Sequence, residues 1–216
     1  MKTETNSITL PTYPARPMNG GPLPSAPPKL GGRWWYEPKY NGWRVLVHTP
    51  SGTCFNRHGQ RLSIEKEFFS ALSQLQANCP FEWLDCEGLE RRHGIGRGTL
   101  IVLDTLDRDR GLYSERKSAL DAWGPHRDRP CTIPVLAGPR EHYAPERPEP
   151  DSIYRAPRWE VDFATDGMWP WMQAINQRWA CDFYEGLVAK RADSPYPRQL
   201  TDSSRHTSDW VKHRFV

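Results

Sequence analysis

The most constraining stretch is Trp34-Trp35-Tyr36-Glu37-Pro38-Lys39-Tyr40-Asn41-Gly42-Trp43-Arg44-Val45-Leu46-Val47-His48. Runs rich in aromatic and β-branched residues flank Asn41-Gly42, and both of those residues accept positive φ. The pattern predicts a β-hairpin closed by a tight two-residue turn. Lys39, just before the turn, and Arg44, just after it, argue for more than a surface hairpin. A primary amine at the mouth of a turn, with a second cation near, is how a lysine that attacks phosphate can be held.

A chain of 216 residues suits one domain, or one with an extended arm. Ten Trp, 21 Pro and 16 Gly promise many turns and short strands. The net charge of +3 permits nucleotide or nucleic-acid binding without arguing for it. Cys54, Cys79, Cys86, Cys131 and Cys181 are scattered, with no Cys-x-x-Cys pair. They read as reduced thiols of an intracellular protein and argue against a disulfide frame or a zinc site. No apolar run approaches the ~20 residues of a membrane span, and the N-terminus lacks the layout of a signal peptide. A cytoplasmic location with no membrane partner is expected.

Residues 1–33, rich in Pro, Gly, Ser and Thr, read as an extended arm, and 34–216 as the folded domain. Thr53 to Gln60 reads as a short strand with a Gly turn. Phe68, Phe69, Leu72 and Leu75 have helical spacing within 65–76. Strands are expected over 81–89, 100–104, 132–136, 184–190 and 210–215. Helices are expected over 113–123, with Ser114 as cap, and over 168–181, starting near Pro170. A basic Gly-rich loop covers 90–98, and the Pro/Arg-rich segment 138–157 reads as a long surface excursion. Short strands among a few helices predict an α+β domain built on twisted antiparallel sheets.

Six pieces follow in order: Lys39-x-x-Gly42-x-Arg44, Asn56-Arg57-His58-Gly59, Asp85-Cys86-Glu87-Gly88, Leu103-Asp104, Glu185 to Lys190, and Trp210 to Arg214. Each is common alone. Together they resemble the adenylation domain of ATP-dependent DNA ligases, over roughly residues 17 to 215. Arg16-Pro17-Met18 resembles the segment that precedes the lysine motif in many such enzymes. The resemblance implies a nucleotidyltransferase (ATP-grasp-like) fold of twisted antiparallel β-sheets flanked by helices. It also implies ATP and Mg²⁺ as reactants and nicked DNA as partner.

By this resemblance Lys39 attacks the α-phosphate of ATP and becomes lysine–AMP. A free lysine has a pKa near 10.4, so about one in a thousand is the reactive amine at neutral pH. Nearby cations, a metal and burial all penalise the ammonium form. Arg44, Lys212 and Arg214 suit that role, and strand alternation puts Lys212 and Arg214 on the face of Trp210. Glu87 matches the family's ribose-binding carboxylate, Arg57 its sugar- or phosphate-contacting arginine, and Glu37 its reader of the adenine amino group. Glu185 matches the metal-linked glutamate, and one such carboxylate suffices for Mg²⁺. Lys190, five residues from Glu185, would face the opposite way on an unbulged strand and ranks below Lys212.

Asn41 stands where the family usually has Asp, Cys86 where Gly is usual, and Leu103 where an aromatic often stacks on adenine. Replacing that stacking by an aliphatic contact costs ~1 kcal/mol. The sequence ends at Val216 directly after the last motif, so no C-terminal oligonucleotide-binding (OB) barrel is expected. A partner protein supplying that clamp, or the basic stretches 91–97 and 140–158, would then hold the DNA. The rival readings are an RNA ligase, a capping-type guanylyltransferase, and a non-catalytic nucleic-acid-binding remnant. The absence of a zinc-type cysteine cluster argues against an NAD-dependent ligase.

Overall fold

In Trp43–His48 (β3) the consecutive residues Val45, Leu46 and Val47 are all fully buried. Neighbouring strand side chains point to opposite faces, so β3 must be covered on both sides. The computed structural model describes residues 20–22, 33–89, 94–106, 111–123, 147–159, 167–196 and 207–215, and it shows what covers them. Elements are numbered in chain order.

A six-stranded sheet has the order β5 (Arg61–Leu62), β4 (Thr53–Phe55), β3, β6 (Trp83–Leu89), β7 (Thr99–Thr105), β8 (Ile153–Arg155). All its neighbours are antiparallel except the parallel β7–β8 pair. Val45 and Val47 pack on one face with Leu84, Cys86 and Val102. Leu72 and Leu75 of helix α1 (Phe69–Asn78) cover that face. Each such aliphatic side chain contributes ~1.5–3 kcal/mol by leaving water. Leu46, on the other face, packs with Phe55, Trp83, Leu106, Tyr196 and Trp210.

Trp210 belongs to a second, four-stranded sheet of order β1 (Gly20–Pro22), β10 (Thr207–Arg214), β9 (Tyr184–Arg191), β2 (Trp34–Tyr40). Here β1–β10 is parallel and the other pairs are antiparallel. Three residues of the N-terminal arm thus form the edge of this sheet. Helix α3 (Trp169–Trp179) covers it, burying Met172, Ile175 and Trp179 against Tyr36, Tyr40, Leu187 and Ala189. Helix α2 (Tyr113–Ala122) turns Tyr113, Arg116, Lys117 and Leu120 inward.

The α+β architecture is as expected, but several local expectations are corrected. β2 and β3 do not form a hairpin: they pair in different sheets, and neither Asn41 nor Gly42 has positive φ. Asn41-Gly42 is instead the crossing point between sheets, anchored by Asn41 N donating to Phe183 O at 3.0 Å. Gly42 is needed for close approach, since a Cβ there would lie 2.6 Å from Gly88 O. Ser114 does not cap α2. Glu115 reaches back instead, its Oε2 accepting from Leu112 N at 2.8 Å. The end of the supposed excursion is the buried strand β8, whose Ile-Tyr-Arg signal is too short to stand out among flanking prolines. The strand expected over 132–136, the Arg16-Pro17-Met18 cluster, Arg91 to His93 and residues 124–146 lie outside the described residues.

Candidate active site

Because the chain crosses between sheets at Asn41-Gly42, Lys39 ends one wall of a cleft and Arg44 begins the other. Between them lies a cavity of about 360 Å³, a size suited to a small-molecule ligand. Its polar lining includes Lys39, Arg44, Arg57, Lys190, Lys212 and Arg214 against the carboxylates of Glu37 and Glu87. Six basic side chains facing two carboxyl groups make this a cleft for an anionic ligand. Leu103 of β7 and Val188 of β9 supply apolar surface from the two sheets.

Glu37 closes one end. It is 1% exposed, and Lys117 and Lys190 meet its two oxygens at 3.0 and 2.7 Å. The Tyr113 hydroxyl also donates to it at 2.6 Å. Burial raises the pKa of this carboxyl, but Lys117, Lys190 and the Tyr113 hydroxyl outweigh it and bring it down to about 2. Lys117 itself is pushed down by burial and by Lys190 despite Glu37. The Lys190 ammonium lies 4.4 Å from the Trp210 ring centre, and the Arg44 guanidinium lies 5.3 Å from it.

Lys39 is on the same face of β2 as Glu37, and its ammonium is ion-paired with Glu185. Arg214 lies 3.5 Å from the same Glu185 oxygen. This placement overturns the expectation that Glu185 and Lys190 face opposite ways. The register with β2 jumps from Lys39↔Gly186 to Tyr40↔Tyr184, so Glu185 is the extra residue of a bulge. Gly186 makes the bulge feasible: its φ is +142°, and a Cβ there would meet His213 O at 2.0 Å.

Glu87 is cross-strand from Arg44 and accepts a bond from Gly42 N at 2.9 Å. Burial drives its pKa up to about 7, although Lys39, Arg44 and the Gly42 N–H pull it down. Lys212 is brought down to about 8, first by burial and then by Arg44, Lys39, Arg214 and Arg57. Arg57 sits on a turn built by Asn56, whose Oδ1 accepts from His58 N at 2.8 Å and Gln60 N at 3.0 Å. Arg44 is clamped on its inner side by Asp85, with Nε on Oδ1 at 2.8 Å.

The structure therefore gathers Glu37, Lys39, Arg44, Arg57, Glu87, Leu103, Lys190, Lys212 and Arg214 around one cavity, with Glu185 touching Lys39. Sequence reasoning missed Tyr113 and Lys117. Their signal was present: positions 113, 116, 117 and 120 share one helix face, and buried charges there must find partners. Among the described residues no group of three or more His, Cys, Asp and Glu is placed to hold a metal, and no helix is long and apolar enough to cross a membrane.

No protein-family model matches the chain, and no curated protein matches it by sequence. Solved structures do. A mycobacterial DNA ligase D complexed with ATP and MES aligns with a TM-score of 0.55 at 18% identity, over 93% of this chain and 60% of that one. The ligase domain of M. tuberculosis LigD aligns with a TM-score of 0.53 at 17% identity, over 92% of this chain and 59% of that one. A structure described as Pmar-Lig_Pre aligns with a TM-score of 0.52 at 17% identity, over 92% and 47%. The chain thus spans about 60% or less of the length of these neighbours. It shares the fold of these DNA-ligase structures.

Proposed function

We propose that this chain is the adenylyltransferase of an ATP-dependent DNA ligase, with Lys39 as the residue that carries AMP. The observation that carries this reading is a lysine at the edge of a cationic cavity, on a fold shared with ligases. In the first step the Lys39 amine, having lost its proton, attacks the α-phosphorus of ATP. The bond to pyrophosphate breaks, the attacking nitrogen gives up a further proton to the departing pyrophosphate, and a phosphoramidate forms. Next, an oxygen of a DNA 5′-phosphate attacks the AMP phosphorus, the P–N bond breaks, and Lys39 recovers its amine and a proton. A 3′-hydroxyl then attacks the 5′-phosphate, loses its proton, and AMP departs.

Positioning and electrostatics dominate such chemistry. Arg44, Lys212 and Arg214 face the charge that develops on the phosphoryl oxygens. Glu37 and Lys190 present an acceptor and a donor to a base edge, Leu103 and Val188 flank the base, and Glu87 takes a ribose hydroxyl. Arg57 meets the sugar or the phosphate of the incoming strand. Glu185, 26% exposed beside Lys39, fits a Mg²⁺ site that needs few protein carboxylates. When bound, the ion neutralises phosphate charge.

Incubation with labelled ATP and Mg²⁺, followed by mass analysis, tests the reading. An AMP adduct is expected on Lys39 and is expected to vanish in Lys39→Ala. An adduct that persists in that variant would refute the assignment. Label from GTP instead would redirect the reading to a capping-type enzyme, and sealing of nicked RNA but not nicked DNA to an RNA ligase.

A further inference from the structure

We propose that Tyr196 is a positioning residue that acts through Asp85 to hold Arg44 with one guanidinium edge directed at the cavity. The inference rests on the ligase reading above. Tyr196 lies just beyond β9, on a segment tied down by Tyr113 N donating to Ser194 O at 2.8 Å and by Ala192 N donating to Arg33 O at 3.0 Å. Its ring is 3% exposed and stands edge-on to Trp210 at 5.6 Å. The Arg116 guanidinium lies 5.5 Å from the ring centre. These contacts fix where the hydroxyl sits.

That hydroxyl donates to Asp85 Oδ2 at 2.8 Å and accepts from Arg44 NH2 at 3.2 Å. Asp85, 0% exposed, takes Arg44 Nε on Oδ1 at 2.8 Å and the NH2 group on Oδ2. Tyrosine, aspartate and arginine therefore close a ring around the Nε/NH2 edge of the guanidinium. The five donors of arginine sit in a rigid planar fork. Engaging one edge sets the direction of the other, and Arg44 lines the cavity. Without the hydroxyl, Asp85 keeps its two-point pair with Arg44 but loses the bond that ties that pair to the segment beyond β9. The pair survives as a unit, and its anchor in the cleft wall does not.

A double-mutant cycle separates this role from simple packing. Tyr196→Phe keeps the ring against Trp210 and Arg116 and removes only the oxygen. Single-turnover adenylation of Lys39 is expected to slow about tenfold, as when a hydrogen bond to a charged group is lost. In an Arg44→Gln background the same change is expected to cost less than about twofold, because the residue it acts through is gone. Asp85→Asn, of nearly equal volume, repeats the cycle from the other member of the ring. An equal factor in both backgrounds would overturn the proposal. An independent readout needs no activity: the ¹⁵N resonance of Arg44 Nε–H is expected to shift or broaden in Tyr196→Phe without nucleotide, and an unchanged resonance overturns the proposal as well. If Lys39 takes no AMP in the unaltered protein, the ligase reading fails, and the resonance alone decides the part played by Tyr196.

Discussion

Glu37 and Glu87 line the same cavity, yet their proton affinities move in opposite directions. Burial pushes both upward. At Glu37 that push is overcome by Lys117, Lys190 and the Tyr113 hydroxyl, and the carboxyl titrates at about 2. Glu87 has one backbone N–H and the charges of Lys39 and Arg44, with Asp85 working against them, and it titrates at about 7. At the Glu37 end of the cleft the carboxylate's charge is neutralised before any ligand arrives. The other is short of compensation, as befits groups that await a ligand.

The most severe way to break this contrast is Glu37→Gln. It strands Lys117 and Lys190 in the interior, and removing one partner of a buried ion pair costs ~3–5 kcal/mol. Urea unfolding at pH 7 measures it, and a loss below ~1 kcal/mol would mean that the cluster is not the fixed end. Gly42→Ala comes next. Its Cβ would lie 2.6 Å from Gly88 O and 2.9 Å from Glu87 Cγ, and such overpacking costs ~1–3 kcal/mol. A lower urea midpoint is expected together with slower adenylation, because Glu87 is displaced.

The pH dependence sharpens the comparison. A folded-state pKa of about 7 for Glu87, above its ordinary value of 4.5, means that the native state holds the proton more tightly. Its stabilising contribution is therefore full below pH ~4.5 and lost as the pH rises through ~7. Glu87→Gln should remove that slope, gaining ~3 kcal/mol on the wild type between pH 4.5 and 8. Glu37 has the opposite sign: its contribution is present above pH ~4.5 and lost as the pH falls through ~2. Urea midpoints at pH 4.5, 7 and 8 decide it, and parallel curves for wild type and Glu87→Gln would refute the assignment.

The smallest effect is expected at Asn41. Its Nδ2 donates to Asp182 O at 2.9 Å, a bond that Asp cannot make. Asn41→Asp is expected to change the adenylation rate by no more than about tenfold, or ~1.4 kcal/mol of barrier. A gain of several hundredfold would show that Asn41 impairs the site.

Much of the site was legible because its residues fall in short ordered motifs. Lys212 and Arg214 share a face through period-two alternation alone, and both line the cavity. The same alternation misled for Glu185 and Lys190, since a bulge adds one residue to β9 and Gly186 was its one local sign. Asn41-Gly42 failed in another way. Its composition is that of a hairpin, but β2 found better pairing along β9, and β3 along β6, than with each other.

Local sequence determined the strand and helix character of most segments and the faces on which the reactive side chains stand. Those properties depend on neighbours within a few residues. Only the tertiary structure decided which charges would be neutralised. Tyr113 and Glu37 are 76 positions apart, and Tyr196 and Asp85 are 111. A carboxylate's proton affinity depends on what lies within a few ångströms of it, and here those neighbours come from distant parts of the chain, brought together by two sheets and the helix beside them.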